Sequence, residues 1–401
     1  MSERCEEASS VTLEDLSSPQ LISTPLKTAL LVSQKQKSST RRISIAAFGS
    51  NDLQRLEELV LNLRGREWAK QSRKNRELLV DLCFQYWRAR GFPHYSLTDQ
   101  QIVQQYSHLA SANSKRILID GEIHSSMIGM KLANFFHPQM WRVKMKGRRS
   151  PYKCFADDSA LRRLILRSLT VWEDRCAVNE NNLRGMLLTF SHTGRVSNFR
   201  STAAKAIYEC YSREGDTVLD FSAGYGGRML GCLPLNRTYL GIDPCREQIN
   251  GLKRMNARLG KLVRVRARSR IYQACAEDFL CQQRAGSVSL VFSSPPYFNI
   301  ERYSNSRSQS YIRFPTYEEW REGFMVPVVM QSRRILKKGG YFVINVANIN
   351  GYKLFDDTLR IANRHFRHVH TLKLRLGHLP YLRKNRGSAY KHEPVLVFRK
   401  H

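Results

Sequence analysis

The chain has 401 residues, of which 42% are hydrophobic, so it is long and apolar enough for one large domain or two ordinary ones. It carries 65 Lys and Arg residues against 34 Asp and Glu, which gives a formal net charge of +31 at pH 7. The apolar content excludes a mostly disordered polymer. Because each neutralised phosphate releases counterions, the charge favours a polyanionic partner, although a basic protein that binds an acidic protein would show the same excess.

The sequence has no run of about 18 apolar residues and no basic start followed by an apolar stretch, so we expect neither a membrane span nor a secretory signal. Its nine cysteines occur without a CxxC pair and without Cys/His ligand spacing. This usage predicts reduced thiols, no metal site and a cytoplasmic, intracellular location.

Residues 1–45 are rich in Ser, Thr, Gln and Lys and show no sustained period, which predicts a disordered tail. The apolar spacing then becomes helical, at Leu53, Leu56, Val60 and Leu63, and it is helical again from Ser159 to Trp172. We therefore interpret residues 46–190 as a mainly helical region.

From Asp216 onward, short β-rich runs alternate with helical stretches. The predicted strands are Thr217–Phe221, Thr238–Ile242, Ile271–Ala276, Ser287–Ser293, Gly340–Val346, His368–Leu374 and Pro394–Phe398. The predicted helices between them are Arg246–Leu259, Tyr317–Leu336 and Leu354–His365. This alternation predicts an α/β domain over residues 191–401, with a mostly parallel sheet between two layers of helices. Ligands bind such sheets beyond the carboxyl ends of the strands, so we expect functional residues in the loops that follow them.

A glycine-rich segment follows the first strand: Asp220-Phe221-Ser222-Ala223-Gly224-Tyr225-Gly226-Gly227, called the glycine turn below. Glycines allow a close approach to a ligand and backbone conformations that a side chain forbids. On its own, such a turn fits a tight corner or many kinds of nucleotide site. The next strand ends at Asp243, whose carboxylate could accept the hydroxyl hydrogens of a ribose or cap the following helix.

The third strand ends close to Asp278 and Phe279. Asp278 could bind the amino group of an adenine while Phe279 packs on the adenine ring. A helix cap and an ordinary core residue are the alternatives for this pair.

These features resemble the S-adenosylmethionine site of class I methyltransferases. The turn has the family's form, with Asp220 and Ser222 before the Gly-x-Gly of Gly224 and Gly226. Upstream, the segment 196–201 before an Ala/Lys helix resembles the one that precedes this turn in amino-methyltransferases. An aromatic residue in that segment, here Phe199, lies against the cofactor; ordinary core packing is the alternative. The resemblance implies S-adenosylmethionine as cofactor and a Rossmann-like sheet of seven strands.

The fourth strand runs into Ser293-Ser294-Pro295-Pro296-Tyr297-Phe298, and residues 293–302 are called the double-proline loop below. Proline fixes φ, so the loop and its carbonyl groups are held in place. The exocyclic amine of cytosine or adenine is a poor nucleophile because its lone pair is delocalised into the ring. Two acceptors that hold its hydrogens, here the Ser294 hydroxyl and the Pro295 carbonyl, would free that lone pair for in-line attack on a methyl group.

This loop resembles the D/N/S-P-P-Y/F motif of DNA amino-methyltransferases, and residues 195–400 as a whole resemble bacterial or bacteriophage DNA-modification methylases. The resemblance implies that Ser294, Pro295, Pro296 and Tyr297 are catalytic and that the base is flipped out of the duplex and stacks on Tyr297. Ser at the first position favours cytosine N4 over adenine N6. The class also implies DNA as partner and, in restriction-modification systems, a cognate nuclease. A strand terminator with a buried Tyr is the alternative.

Two basic segments are candidates for DNA phosphate contacts, with a solvated surface as the alternative. The residues concerned are Arg142, Lys144, Lys146, Arg148 and Arg149, and, after the double-proline loop, Arg302 and Arg307. Only about seventy residues separate the glycine turn from that loop, which leaves no room there for a DNA-reading domain. The region 46–190 is therefore the first candidate for such a lobe, and the basic stretch Arg375–Lys391 is the second.

Two other functions stay compatible with the sequence. One is N-methylation of RNA or of a protein glutamine, although Ser in place of Asn in the motif disfavours glutamine. The other is a catalytically inactive nucleic-acid-binding protein with the same fold, which the intact glycines and loop disfavour.

Overall fold

The computed structural model describes residues 53–194, 196–263, 265, 267–378 and 390–401. The predicted tail, residues 1–45, and most of the basic stretch Arg375–Lys391 lie outside the described residues. The described chain forms two compact units, residues 53–93 with 151–193 and residues 94–150 with 194–401. The second unit thus begins earlier than the predicted boundary at residue 190, because the segment 94–150 is part of it.

The helices, in chain order, are α1 (Leu53–Asn62), α2 (Gly65–Ala69), α3 (Arg73–Arg90), α4 (Asp99–Ala110), α5 (Met130–Phe135), α6 (Pro151–Ala156), α7 (Asp158–Val171), α8 (Glu180–Thr189), α9 (Ser201–Tyr211), α10 (Gly227–Cys232), α11 (Arg246–Leu262), α12 (Ala276–Leu280), α13 (Ser310–Arg313), α14 (Tyr317–Trp320), α15 (Val326–Ile335) and α16 (Leu354–Asn363). A π-helical turn, Arg321–Met325, joins α14 to α15. The predicted helix Tyr317–Leu336 is therefore one helical stretch with a π-turn inside it.

The strands are β1 (Leu118–Ile119), β2 (Glu122–Ile123), β3 (Lys144–Met145), β4 (Thr217–Asp220), β5 (Thr238–Asp243), β6 (Ser269–Gln273), β7 (Val288–Ser293), β8 (Glu301–Arg302), β9 (Leu336–Asn345), β10 (Arg367–His378) and β11 (Tyr390–Arg399). Each of the seven strands that the sequence predicts is present, with its ends shifted by a few residues. The strands β1, β2, β3 and β8 were not predicted, because a two-residue strand carries no readable period.

The first unit is entirely helical in its named elements, as its apolar spacing predicts. Helix α3 starts at an N-cap, Ser72, whose side chain accepts a hydrogen bond from the Asn75 backbone N–H, and it ends at Gly91. Trp87 on this helix is fully buried, and its indole N–H donates to the Val178 carbonyl 3.1 Å away. The unit therefore has its own core, built from the helices before residue 93 and after residue 151.

The second unit is built on a nine-stranded sheet of order β1-β2-β10-β11-β9-β7-β4-β5-β6. The pairs β4·β5, β5·β6, β4·β7 and β7·β9 are parallel, and β11 is antiparallel to both of its neighbours. The seven strands in the order β10-β11-β9-β7-β4-β5-β6 thus form the mostly parallel sheet that the resemblance to class I methyltransferases implies. The strands β1 and β2 extend it at one edge.

Strand residues alternate between two apolar cores, one on each face of the sheet. Val218 and Leu290 belong to the first core, and their chain neighbours Leu219 and Val291 to the second. The first core also includes residues of α4 and α5, which explains why the segment 94–150 folds with the sheet. The helices on this face therefore come both from the segment 94–150 and from residues 201–262.

Among the described residues, each helix is too short or too polar to cross a lipid bilayer.

Candidate active site

The glycine turn lies between β4 and α10, beyond the carboxyl end of a central strand. Gly224 and Gly226 have φ of +56° and +76°, the left-handed conformations that the sequence predicts for glycines here. A side chain at Gly226 would meet Met255 at 2.6 Å and His137 at 3.3 Å, so this glycine allows the turn to pack on its neighbours. A Cβ at Gly224 would meet only the Ser222 carbonyl, at 3.7 Å. Gly224 is thus the position where the backbone presents an open side to a ligand.

Asp220 at the end of β4 is fully buried and binds groups from three neighbouring segments. Its carboxylate accepts hydrogen bonds from Arg228 Nε (2.8 Å), the Tyr239 hydroxyl (2.8 Å) and the Ser293 hydroxyl (2.7 Å). Arg228 also donates to the Ser222 carbonyl. This network joins the glycine turn to the first residue of the double-proline loop, so Asp220 has the contacts of a positioning residue.

Asp243 at the end of β5 lies next to the glycine turn. One carboxylate oxygen accepts the Gly224 N–H and the other the Cys245 N–H, both at 2.9 Å. Burial raises the pKa of this carboxyl to about 6, against the two backbone hydrogen bonds, which lower it. Each carboxylate oxygen can accept a second hydrogen bond. The carboxylate therefore holds the turn and still has acceptor capacity, and its contact with ribose hydroxyls stays a prediction.

Residues 196–200, just before α9, contact the glycine turn and support it. The Asn198 side chain accepts the Gly227 N–H at 3.1 Å and donates to the Tyr225 carbonyl at 3.1 Å. A Cβ at Gly227 would lie 1.9 Å from the Phe199 carbonyl, so only glycine fits there. The Phe199 ring packs edge-on against Phe292, with centroids 5.3 Å apart. Sequence reasoning missed Asn198, although a polar residue next to the predicted aromatic contact was its signal.

Asp278 and Phe279 lie in α12, after β6. The Asp278 carboxylate is bound by both terminal nitrogens of Arg313, at 2.6 and 3.2 Å, and Arg313 also contacts Glu277 at 2.9 Å. If the adenine of the cofactor bound Asp278, it would therefore share this carboxylate with the Arg313 guanidinium. The Cys275 sulfur and carboxylate oxygens of Glu277 and Asp278 lie within 4.8 Å of one another, a spacing that could hold a metal ion. Arg313 already provides a positive charge at this position.

The double-proline loop leaves β7 with the Ser294 hydroxyl 3.4 Å from Asn345 Oδ1, at the end of the neighbouring strand β9. Asn345 is buried, and its amide nitrogen donates to the Pro394 carbonyl at 3.0 Å. Pro295 is buried as well, whereas Ser294 is half-buried. The loop's first residues are thus anchored by the sheet while the Ser294 side chain keeps access to solvent.

Tyr297 and Phe298 point to different environments. Tyr297 is half-buried, and burial raises the pKa of its hydroxyl, as do the nearby carboxylates of Glu393 and Glu301. Phe298 has a φ of +51°, uncommon for a large side chain. Its ring lies 5.1 Å from that of Tyr352 and 5.8 Å from that of Tyr317. These aromatic contacts hold the backbone turn that follows Tyr297, beyond the carboxyl end of the interior strand β7.

Glu301 is a half-buried residue of the double-proline loop that the sequence analysis did not single out. It accepts a hydrogen bond from the Tyr303 hydroxyl and from the Ser197 backbone. Burial raises the pKa of Glu301 to about 7, although these hydrogen bonds lower it. The Tyr303 ring lies 6.2 Å from that of Tyr225 in the glycine turn. Glu301 therefore joins the double-proline loop to both segments of the predicted cofactor site.

The two basic segments come together in a second, two-stranded sheet. Strands β3 and β8 pair antiparallel, with Lys144 opposite Arg302, and the Lys146 N–H donates to the Ile300 carbonyl at 3.0 Å. The six exposed residues of this basic surface are Arg142, Lys144, Lys146, Arg148, Arg149 and Arg302. Arg307 is exposed too, but it lies beyond the paired strands. The sequence predicted each segment separately, and the strand pairing that joins them was not visible in it.

Comparison with known proteins identifies the last part of this unit. Residues 288–401 match the family of DNA methylases of the N6/N4 methyltransferase type. The matched segment contains the double-proline loop and the strands β9 and β11, and it is similar to a DNA methylase domain. The methyl donor of this family is S-adenosylmethionine. No curated protein matches the sequence.

Several solved methyltransferases resemble half of the chain. A TehB-like S-adenosylmethionine-dependent methyltransferase from Corynebacterium glutamicum is 16% identical, with a TM-score of 0.32, over 51% of this chain and 90% of its own. A precorrin-6y C5,15-methyltransferase from Geobacter metallireducens is 11% identical, with a TM-score of 0.34, over 50% and 87%. A methyltransferase from Pyrococcus furiosus is 13% identical, with a TM-score of 0.34, over 50% and 82%.

Proposed function

We propose, on the premise that residues 288–401 are a DNA methylase domain, that this protein transfers a methyl group from S-adenosylmethionine to an exocyclic base amine in DNA, at cytosine N4 in preference to adenine N6. The observation that carries the proposal is the double-proline loop, fixed next to the glycine turn by the bond between Ser293 and Asp220. The loop follows β7 and the turn follows β4, and these two strands pair in parallel, so the proposed amine acceptors and the proposed cofactor turn follow neighbouring strand ends.

The residues of the glycine turn fit this cofactor. Gly224 leaves one side of the turn open, and the Asp243 carboxylate beside it has acceptor capacity for ribose hydroxyls. Phe199, Asp278 and Phe279 are proposed to contact the rest of the cofactor, and Asp220 to support the turn. When bound, S-adenosylmethionine supplies an electrophilic methyl group.

The loop's part in the reaction is to prepare the amine. The Ser294 hydroxyl oxygen and the Pro295 carbonyl are proposed to accept its two hydrogens, with Pro296 fixing the loop. Tyr297 is proposed to stack on a base that has been flipped out of the duplex, because an amine inside a base pair cannot be reached. Positioning of this kind can supply a large part of a rate enhancement without an unusual pKa.

The basic surface supports DNA as the substrate. Like charges placed opposite each other across a strand pair are destabilising, and Lys144 faces Arg302 in this way. A polyanion bound there would relieve the repulsion. The surface adjoins the double-proline loop because β8 contains that loop's last two residues.

The test is mass spectrometry of nucleosides from duplex DNA treated with purified protein and S-adenosylmethionine. We expect N4-methylcytosine, and we expect it to form at least about 100-fold more slowly with Ser294→Ala. N6-methyladenine alone would overturn the choice of base but keep the mechanism, whereas 5-methylcytosine would overturn both. Parallel reactions with RNA and with protein test the other acceptors, and a product only there would overturn DNA as the substrate.

A further inference from the structure

Asn345 is a buried polar residue at the end of β9 that the proposed mechanism does not yet use. Only 3% of its surface is exposed, although it lies at the carboxyl end of β9, next to the point where the double-proline loop leaves β7. Its side chain contacts Ser294 from one strand and the Glu393–Pro394 stretch of β11 from another. The cost of burying an amide is offset only if its donors and acceptor are satisfied.

The contacts of Asn345 fix the orientation of its amide. One hydrogen of Nδ2 is donated to the Pro394 carbonyl, and the Asn345 side chain also hydrogen-bonds the carboxylate of Glu393, which lowers the pKa of that carboxyl against the effect of burial. Carboxylates and carbonyl groups only accept hydrogen bonds, so Nδ2 is the donor to both Glu393 and Pro394. The amide oxygen is left to face Ser294.

This orientation determines where the Ser294 hydroxyl proton goes. An amide oxygen can only accept, so at 3.4 Å the Ser294 hydroxyl must be the donor. A hydroxyl has one hydrogen and two lone pairs. Once its hydrogen is directed to Asn345, Ser294 presents only lone pairs to the rest of the site. Such contacts are often long before substrate binds.

We infer that Asn345 is a positioning residue, which directs the Ser294 hydroxyl proton away from the substrate so that the oxygen accepts a hydrogen of the target amine. The inference rests on the proposed function. Without Asn345, the hydroxyl would rotate freely and could donate to a neighbouring acceptor instead. A carboxylate at position 294 would have no proton to direct, and it would not need this partner.

The experiment is a double-mutant cycle on kcat for DNA methylation, using Ser294→Ala, Asn345→Ala and the double variant. We expect Asn345→Ala to lower kcat about 100-fold, in line with the cost of misplacing a reacting group. The double variant should be no slower than Ser294→Ala alone, because both substitutions remove one interaction. Additive losses would overturn the inference.

A second comparison, made in the Ser294→Asp variant, distinguishes a positioning role of Asn345 from a structural one. In Ser294→Asp, the additional Asn345→Ala substitution should change kcat less than threefold; an equal loss in both backgrounds would show a structural role and overturn the inference. Titration calorimetry with S-adenosylmethionine and the fluorescence of 2-aminopurine at the target base should be unchanged by Asn345→Ala. The matched control is Asn348→Ala, an exposed asparagine in the following loop, which should keep full kcat.

Failure of the proposed function is distinguishable from failure of this inference. If the wild-type protein methylates no DNA, the proposed function fails before any variant is compared. If the wild type is active and Asn345→Ala is equally active, only the positioning role of Asn345 is wrong.

Discussion

The glycine turn and the double-proline loop follow neighbouring strands of one sheet, yet they are held in different ways. The turn is held by a buried ion pair, Asp220 with Arg228, and by backbone donors. Beyond Ser293, which Asp220 binds, the loop is held mainly by neutral groups, an amide at Asn345 and an aromatic cluster around Phe298, and by the hydrogen bonds of its own Glu301 carboxyl.

The difference matches what each segment must do in the proposed reaction. A turn that receives a cofactor of constant shape gains from a charged network that leaves little freedom, since breaking a buried pair is costly. A loop that accepts hydrogens from an amine gains from neutral neighbours, because a nearby cation would compete for the same lone pairs. Substitutions in the two segments should therefore produce different kinds of effect.

The largest effect is expected in the glycine turn, which contains the buried ion pair. Asp220→Asn leaves Arg228 buried without its anion and should cost about 3–5 kcal/mol of the free energy of unfolding. For a unit of this size, that lowers Tm by roughly 6–20 °C. Thermal unfolding followed by circular dichroism measures it.

The matched control for that prediction is an exposed ion pair in the same unit. Arg258 contacts Asp99, and both side chains are nearly half exposed. Arg258→Gln should cost less than about 1 kcal/mol. Equal Tm shifts in the two variants would show that the network of the glycine turn is not the rigid element proposed here.

The second-largest effect is expected at Glu301, a carboxyl of the double-proline loop. The pKa of Glu301 is raised to about 7 in the folded protein, chiefly by burial, against about 4.3 in an unfolded chain. Between these values the folded state binds more protons than the unfolded state, so this group makes stability fall as pH rises from about 5 to about 8. Glu301→Gln should remove that loss, a gain of up to roughly 3 kcal/mol at pH 8 with little gain at pH 5.

Denaturant unfolding at pH 5 and pH 8 tests this. Asp243 and Glu393 also have raised pKa values, so the wild type keeps a residual pH dependence, and the difference between variant and wild type isolates Glu301. Glu318→Gln, on the surface, is the control and should leave the pH dependence unchanged. A Glu301→Gln protein with the wild-type pH dependence would contradict the assignment.

A smaller effect is expected for the predicted cofactor carboxylate. Asp243→Ala should weaken S-adenosylmethionine binding by about 10-fold to 100-fold, the cost of losing hydrogen bonds to a charged group. Asp278→Ala should weaken it less, because Arg313 already occupies that carboxylate. Titration calorimetry with both variants gives the comparison, and unchanged affinity in Asp243→Ala would refute the ribose contact.

The sequence predicted the parts of the site that are contiguous in the chain. The glycines and residues Ser294 to Tyr297 could be predicted because their residue types and spacing indicate a proposed role. The seven long strands could be predicted because each is long enough to show a pattern of apolar residues. Asn198, Asn345 and Glu301 were missed because their roles depend on partners brought close only by folding. The placement of residues 94–150 was missed for the same reason, since helical spacing does not tell which core a helix joins.

The smallest effect per residue is expected on the basic surface, and it decides which unit contacts DNA. Replacing Lys144, Lys146 and Arg302 by Gln should flatten the slope of log K against log salt by about 0.9 per lost phosphate contact. The loss should be the same for every DNA sequence, because phosphate contacts carry no base information. The control is Lys74→Gln with Arg163→Gln, two exposed positions of the helical unit, which makes up the other part of the candidate DNA-reading region 46–190. If these changes flatten the slope and the triple variant does not, phosphate binding belongs to the helical unit. A triple variant that changed sequence preference at a constant slope would mean that the paired strands β3 and β8 contact base edges instead of phosphates.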